Sequence, residues 1–371
     1  MQIDHFHFYV ENAQKWRDWF VGIGFQSLGS DTSNHTRTEA VKSGPVCILL
    51  SSALTSASPV ADFLRSHSPG IADIAFLVND IESAIAKAVS HGVTVLQPIQ
   101  YKQQGDSYLK WAKIAAWGCL SHTLIEQMGN GEWISANFSP SSPLSVSPSP
   151  FIGIDHVVLN VGSGDLERAA TWYENVLGFR RQQTFDIQTS RSGLQSQVML
   201  HPSHLVKFPI NQPSSVNSQI QEFLDINGGP GIQHIALQTS NLIQAIAQLK
   251  TSGVSFIKVP RTYYTQLQQR ERLPLSPTEL QEIANHEILV DWEDIYPHTR
   301  ETAPLLLQTF TKPIFTQPTF FFEVIERRIC YVNGQQKQAQ GFGERNFRAL
   351  FEAIEQEQIK RDRKGELPQL T

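Results

Sequence analysis

Short runs of alternating apolar and polar residues give way along the chain to apolar residues at helical spacing, and the order of these segments repeats. Residues 3–10, Ile-Asp-His-Phe-His-Phe-Tyr-Val, read as a strand. A helix follows with Trp16, Trp19 and Phe20 on one face, stopped at Gly22 to Gly24. Residues 154–161, Ile-Asp-His-Val-Val-Leu-Asn-Val, begin the same order again. Asp165 is placed to cap the next helix, which carries Leu166, Ala169, Ala170, Tyr173 and Leu177, and Gly178-Phe179 matches Gly24-Phe25.

A second pair of segments aligns better. Gly70-Ile71-Ala72-Asp73-Ile74-Ala75 and Gly231-Ile232-Gln233-His234-Ile235-Ala236 stand 161 residues apart, and the same offset maps Ala84-Ile85-Ala86 onto Ala245-Ile246-Ala247. The chain is therefore a duplication. Strand, helix, strands in each half predict an α+β fold of tandem βαβββ repeats, forming two open, barrel-like domains whose curved sheets enclose a pocket. Residues 136–150, rich in serine and proline, read as a linker between an N-terminal domain at 1–135 and a C-terminal catalytic domain at 151–371.

The second half carries an insertion around 261–305, where Ser276-Pro277-Thr278-Glu279 forms a capping box with no evident chemistry. From Phe347 to Lys360 the pattern is an amphipathic helix after a glycine loop, Gly341-Phe342-Gly343. Its apolar face is Phe347, Leu350, Phe351 and Ile354. Such a helix either packs on the core or closes as a lid over the barrel.

Composition narrows the function classes. At about 150 residues per domain, 371 residues predict two or three domains. A net charge of −5 with mixed signs provides no field for nucleic acid. Cys47, Cys119 and Cys330 are too few and too scattered for a disulfide framework or a zinc motif, which fits a reducing cytoplasm. The N-terminus lacks a signal-peptide pattern, and no apolar run approaches the ~18 residues of a membrane span. The expectation is a soluble protein with no membrane partner.

The candidate chemistry centres on Phe320-Phe321-Phe322-Glu323-Val324-Ile325, a run that reads as a buried strand with one carboxylate inside it. A buried, ionised carboxylate needs a cation. Strand period two puts Glu323 on one face with Phe321 and Ile325, and Phe320, Phe322 and Val324 on the other. Two more strand-like stretches each offer one histidine, His156 in Gly153 to Leu159 and His234 in Gly231 to Leu237. Two imidazoles and one carboxylate are the facial-triad ligand set of non-haem Fe(II), with coordination positions left for substrate and oxygen. Taken singly, each histidine is more often a hydrogen-bonded core residue than a ligand, and Glu323 could pair with Arg327 or Arg328. In the first half, His5, Asp73 and Glu126 stand where the second presents His156, His234 and Glu323, which leaves a second metal site open by chemistry.

These motifs, together with Phe208-Pro209-Ile210-Asn211, Ser218-Gln219-Ile220-Gln221, Leu307-Gln308-Thr309-Phe310-Thr311-Lys312-Pro313 and Gly341-Phe342-Gly343, resemble the 4-hydroxyphenylpyruvate dioxygenase family of the vicinal oxygen chelate superfamily. The resemblance spans residues 150–355, and the first half is similar to the family's degenerate N-terminal domain. It implies Fe(II) on His156, His234 and Glu323, an aromatic 2-oxo acid and O2 as small-molecule partners, and a homodimer or homotetramer. It also implies that Phe310 and Phe347 sandwich the ring and that Phe321 and Pro209 bound the cavity. Ser196, Asn211, Gln219 and Gln308 would hydrogen-bond the substrate, Phe342 and Asn346 would complete the pocket, and Gln233 would support His234 from behind. The product would be homogentisate, serving tyrosine breakdown or quinone synthesis.

Some positions depart from the family pattern. Glu344 and Arg345 replace lysine and glycine in the loop before the last helix, Gln197, His201 and His204 are more polar than the family there, and the stretch between Asn211 and Gln219 is short. Hydroxymandelate synthase is similar in fold and ligands and oxidises the benzylic carbon instead. A glyoxalase-like metal lyase and a ligand-binding protein are the rivals of other classes.

Overall fold

In a computed structural model, the described residues are 1–129, 149–189, 192–270, 273–292, 303–332, 335–343, 345–347, 349, 351–352 and 354. Most of the serine- and proline-rich linker, Glu344, Leu350 and everything after Ile354 lie outside them.

The first half begins with β1 (Gln2–Tyr9), α1 (Ala13–Gly22), β2 (Gln26–Thr32), β3 (Thr36–Ser43) and β4 (Val46–Ala53). After α2 (Pro59–Leu64) the pattern repeats as β5 (Gly70–Leu77), α3 (Ile81–Ser90), β6 (Val95–Gln104), β7 (Ser107–Ala115) and β8 (Ser121–Met128). The eight strands form one curled sheet in the order β2-β3-β4-β1-β5-β8-β7-β6. Each βαβββ unit supplies half of it.

The second half repeats the plan with β9 (Gly153–Asn160), α4 (Leu166–Leu177), β10 (Arg180–Gln188), β11 (Gly193–Leu200), β12 (Lys207–Pro213) and α5 (Gln219–Asn227). Its second unit runs β13 (Gly231–Gln238), α6 (Leu242–Thr251), α7 (Arg261–Gln268), α8 (Pro277–Asn285), β14 (Leu289–Trp292), β15 (Leu305–Phe310) and β16 (Phe321–Arg327). The strand order, β10-β11-β12-β9-β13-β16-β15-β14, mirrors the first sheet. A small hairpin, β17 (Ile329–Val332) and β18 (Gln335–Gln338), follows. Helical residues within 345–354 then lie against the second sheet, where Phe351 packs with Leu194, Ile220 and Phe223.

Local details follow the sequence with one exception. Ser276 and Glu279 form the full capping box of α8, and Gly178 ends α4 in the left-handed conformation at φ 76°. Asp165 occupies the N-cap position of α4 but makes no capping bond, because its carboxylate is drawn to Arg168 at 2.7 Å.

The core lies between the two sheets. Phe322 and Val324 face it from β16 and Phe320 from just before that strand, and Phe8 and Phe20 meet them from the first half, with Phe8 and Phe320 ring centroids 5.1 Å apart. The same interface buries His122 of β8, whose Nε2 lies 3.1 Å from the Tyr173 hydroxyl of α4. This packing fixes β16 so that its alternate residues, Phe321, Glu323 and Ile325, point into the second cup.

Candidate metal centre

Three adjacent strands bring His156, His234 and Glu323 together. In register, Ala236 of β13 lies opposite His156 on its antiparallel neighbour β9 and opposite Glu323 on its parallel neighbour β16. His234 is two residues before Ala236 on the same strand, so all three side chains project from one face. One donor atom from each residue falls within 4.8 Å of the others. His156 Nε2 is 3.2 Å and His234 Nε2 3.7 Å from Glu323 Oε2. All three residues are at most 5% exposed, and His234 Nε2 and Glu323 Oε2 have no hydrogen-bond partner. Buried polar atoms left unpaired and aimed at one point are what a divalent cation would satisfy, and this N,N,O donor set fits Fe(II).

The remaining atoms of the triad are held from behind. His156 Nδ1–H donates to Asp155 Oδ1 at 2.9 Å, and His234 Nδ1–H reaches Gln233 Oε1 at 3.4 Å. Glu323 Oε1 accepts from Gln308 Nε2 at 2.9 Å. These contacts set both imidazole tautomers with Nε2 free. Burial opposes charge on His156, but the Glu323 and Asp155 carboxylates on either side outweigh it and raise its pKa. Burial and the neighbouring His156 push the His234 pKa well down, so its imidazole is neutral. Asp155 stays well below the usual carboxylate range: burial opposes its charge, while Arg327, His156 and Lys207 overcome that.

Beside the triad lies a mostly apolar cavity. His234, Phe321, Phe347, Pro209, Gln233 and Gln219 are on its wall, and so are Ser196 and Asn211. The Phe321 ring stacks on the His234 imidazole at 4.8 Å and 20°. Gln219 Oε1 is buried without a partner. Phe185, which sequence reasoning missed, also lines the cavity and packs edge-on against Phe347 at 5.5 Å. No sequence signal marked it, since β10 reads as a solvated strand.

Four further expected substrate contacts, Phe310, Gln308, Phe342 and Asn346, are off the described cavity wall. Phe310 packs with Phe321, Ile257 and Leu289. Gln308, Phe342 and Asn346 form a second layer. Gln308 donates to Glu323 and to the Phe342 carbonyl and accepts from Asn346 Nδ2 at 2.8 Å. The insertion takes part as well, because the Tyr263 hydroxyl donates to Asn346 Oδ1 at 2.9 Å.

Arg327 is engaged with Asp155 and not with Glu323, and Arg328 pairs with Glu326. Gln197 donates to the Gln183 and Val198 carbonyls, and His201 bonds Ser203, so these polar residues of β11 and the turn after it lie away from the described cavity wall. Arg345 stacks on Trp292 at 5.5 Å.

The first half is wired differently. Ala75 lies opposite His5 and Thr123, as Ala236 lies opposite His156 and Glu323. Thr123, and not Glu126, is therefore the counterpart of Glu323. Glu126 matches Glu326: it accepts from the Ile81 N–H at 2.8 Å, as Glu326 does from Leu242 N–H at 2.7 Å. Asp73 accepts from Ser121 and Thr123 and faces Lys113 Nζ at 3.6 Å. An ammonium supplies the positive charge there. Among the described residues, His5, Asp73 and Glu126 do not converge as a ligand group; Glu126 instead falls beside exposed Asp80 and Glu82. No helix of the described residues is long and apolar enough to cross a membrane.

Comparison with known proteins places this architecture. Residues 4–109 and 153–271 each match the Glyoxalase/Bleomycin resistance protein/Dioxygenase superfamily. A 4-hydroxyphenylpyruvate dioxygenase from Coccidioides posadasii is 35% identical, with 96% of this chain and 93% of that protein covered. The protein of that name from Dictyostelium discoideum is 36% identical over 96% and 98% of the two chains, and the one from Danio rerio 34% over 100% and 93%. Among solved structures, a triple mutant of 4-hydroxymandelate synthase from Streptomyces coelicolor superposes with a TM-score of 0.81 at 24% identity, covering 96% of this chain and 98% of the other. That match bears on the fold alone. Near-complete alignment at this identity means that the chain belongs to the 4-hydroxyphenylpyruvate dioxygenase family.

Proposed function

We propose that the protein is an Fe(II)-dependent dioxygenase that converts 4-hydroxyphenylpyruvate and O2 to homogentisate and CO2. The observation that carries this reading is the convergence of three buried ligand atoms, two of them unpaired, beside an apolar cavity with a few polar groups on its wall. His156, His234 and Glu323 would hold the ion, which when bound would supply adjacent coordination positions for a chelating 2-oxo acid and O2.

The chain's own residues bind, orient and exclude water. Phe321 and Phe347 offer flat apolar walls for the substrate ring, backed by Phe310 and Phe185. Ser196, Asn211 and the unpaired Gln219 Oε1 offer hydrogen bonds to the phenol and the keto acid. Gln308, Asn346 and Phe342 fix Glu323 and the segment behind it, and Gln233 supports His234. Phe347 and Phe351 cover the cavity and keep it dry. Phe321, pressed against His234, narrows the space beside the ligands and favours presenting a ring carbon over the benzylic carbon.

The same proposal assigns residues 151–371 to the catalytic unit and 1–135 to its structural partner. It includes a cytoplasmic homodimer or homotetramer and a product that serves tyrosine breakdown or quinone synthesis. The test is anaerobic reconstitution with Fe(II), addition of 4-hydroxyphenylpyruvate and O2, and identification of the product. Homogentisate formed one-for-one with O2 supports the reading. Hydroxymandelate would move the chemistry to the benzylic carbon, and no O2 uptake would leave the lyase or the binding protein.

A further inference from the structure

Two of the three candidate ligands are wired to the same backbone segment. On the Glu323 side, Gln308 bridges Glu323 Oε1 to the Phe342 carbonyl. On the His156 side, the bridge is Arg327, four residues beyond Glu323 on β16 and on the same strand face. Its Nε and Nη2 grip both oxygens of Asp155, at 2.5 and 2.8 Å, and Nη1 donates to the Ala339 and Gly341 carbonyls at 2.8 Å each. Asp155 in turn holds the His156 imidazole. Arg327 and Asp155 side chains are each 4% exposed. Phe342 of that segment packs edge-on against the His156 ring at 5.4 Å. Phe347 and Phe351, among the helical residues that come next in the chain, line the cavity.

From this wiring we infer that Arg327 is a positioning residue that couples His156 to the 339–343 segment, so that metal binding and closure of the cavity stabilise each other. A fork of five fixed donors suits this role, because one planar group holds a carboxylate on one edge and two carbonyls on the other; an ammonium cannot keep both geometries. Coupling of this kind is reciprocal: whatever orders 339–343 tightens the metal, and the metal orders 339–343 by the same factor. The inference rests on the metal reading of the three ligands but not on the identity of the substrate.

The test uses the full chain and Co(II) as a spectroscopic probe, with hydrogen exchange read by mass spectrometry on the apo and loaded forms. In the native protein, Co(II) should slow exchange across 339–343 by roughly tenfold. Arg327→Met combined with Asp155→Asn removes both charges of the ion pair together and leaves Lys207, 22% exposed, as the ammonium beside the site, which limits the cost to folding. That variant should bind Co(II) about tenfold more weakly and lose the Co(II)-dependent protection of 339–343, with exchange in β1 to β8 unchanged. Arg327→Lys should recover part of the affinity. Affinity within about twofold of native with protection retained would overturn the inference alone, as would loss of protection spread evenly over the second sheet, which marks a merely structural role. Failure of the native protein to bind Co(II) would overturn the metal reading, and this inference with it.

Discussion

Replacing Gln308 with leucine probes the ligand support most sharply. The side chain is fully buried and joins three groups: it donates to Glu323 Oε1 at 2.9 Å and to the Phe342 carbonyl at 3.0 Å, and it accepts from Asn346 Nδ2 at 2.8 Å. Loss of the charge-assisted bond costs about 2 kcal/mol and the two neutral bonds about 1 kcal/mol each, because their partners stay buried. The added apolar surface of leucine returns roughly 1 kcal/mol. The apo protein should therefore lose about 3 kcal/mol, a fall of about 1 M in urea midpoint for a slope near 3 kcal/mol/M. Freed from its clamp, Glu323 should also hold Co(II) about 10–100-fold more weakly. Gly343→Ala should act in the same direction, since at φ 77° an added Cβ would collide with Gln308 Oε1. Stability within about 0.5 kcal/mol of native, together with metal affinity within about twofold, would refute this account of the second layer.

Two further predictions concern the first half. Burial pushes the pKa of His122 down to about 4, against the opposing pull of Asp73 and the Ile74 carbonyl. The unfolded chain, with histidine near 6.5, binds the extra proton first, so stability present above pH 6.5 is lost as the pH falls toward 4, by up to about 3 kcal/mol. The difference in unfolding free energy between the native protein and His122→Gln, from urea melts at pH 7 to 4, should change by that amount; parallel pH profiles would count against it. Lys113→Met should cost about 2 kcal/mol at pH 7, less than a fully buried pair because Lys113 is 23% exposed. Asp73 feels burial, which opposes its charge, but Lys113 with Ser121, His7 and Thr123 holds its pKa below the ordinary value. The penalty should therefore shrink in acid, as Asp73 protonates, and an undiminished penalty in acid would show that another cause is at work.

The candidate ligand cluster was legible because a period of two and a buried carboxylate leave few readings of residues 318–327, and the duplication was legible because β5 and β13 carry nearly the same residues at a constant offset. The third counterpart was misread: Glu126 resembles Glu323 in strand context, but register, which depends on pairing with β5, puts Thr123 opposite Ala75. The rest of the supporting layer, Gln233 apart, was invisible for a related reason. Asp155 and Arg327 are 172 residues apart, and Tyr263 and Asn346 are 83 apart. Only the assembled strand order β9-β13-β16-β15 and the docked insertion bring them into contact. Local pattern fixes which face a side chain takes, and long-range pairing decides whom it meets. The Asp-His dipeptide at 4–5 and 155–156 was a further sequence clue to this layer, since Asp4 grips His5 at 2.6 Å as Asp155 grips His156.

The most direct test of the central claim is anomalous X-ray scattering at the iron edge from crystals loaded anaerobically with Fe(II). The account predicts one strong peak between His156 Nε2, His234 Nε2 and Glu323 Oε2, absent from crystals of Glu323→Ala treated identically. A peak in the first half beside Asp73, or a peak between the two histidines that persists in Glu323→Ala, would contradict it.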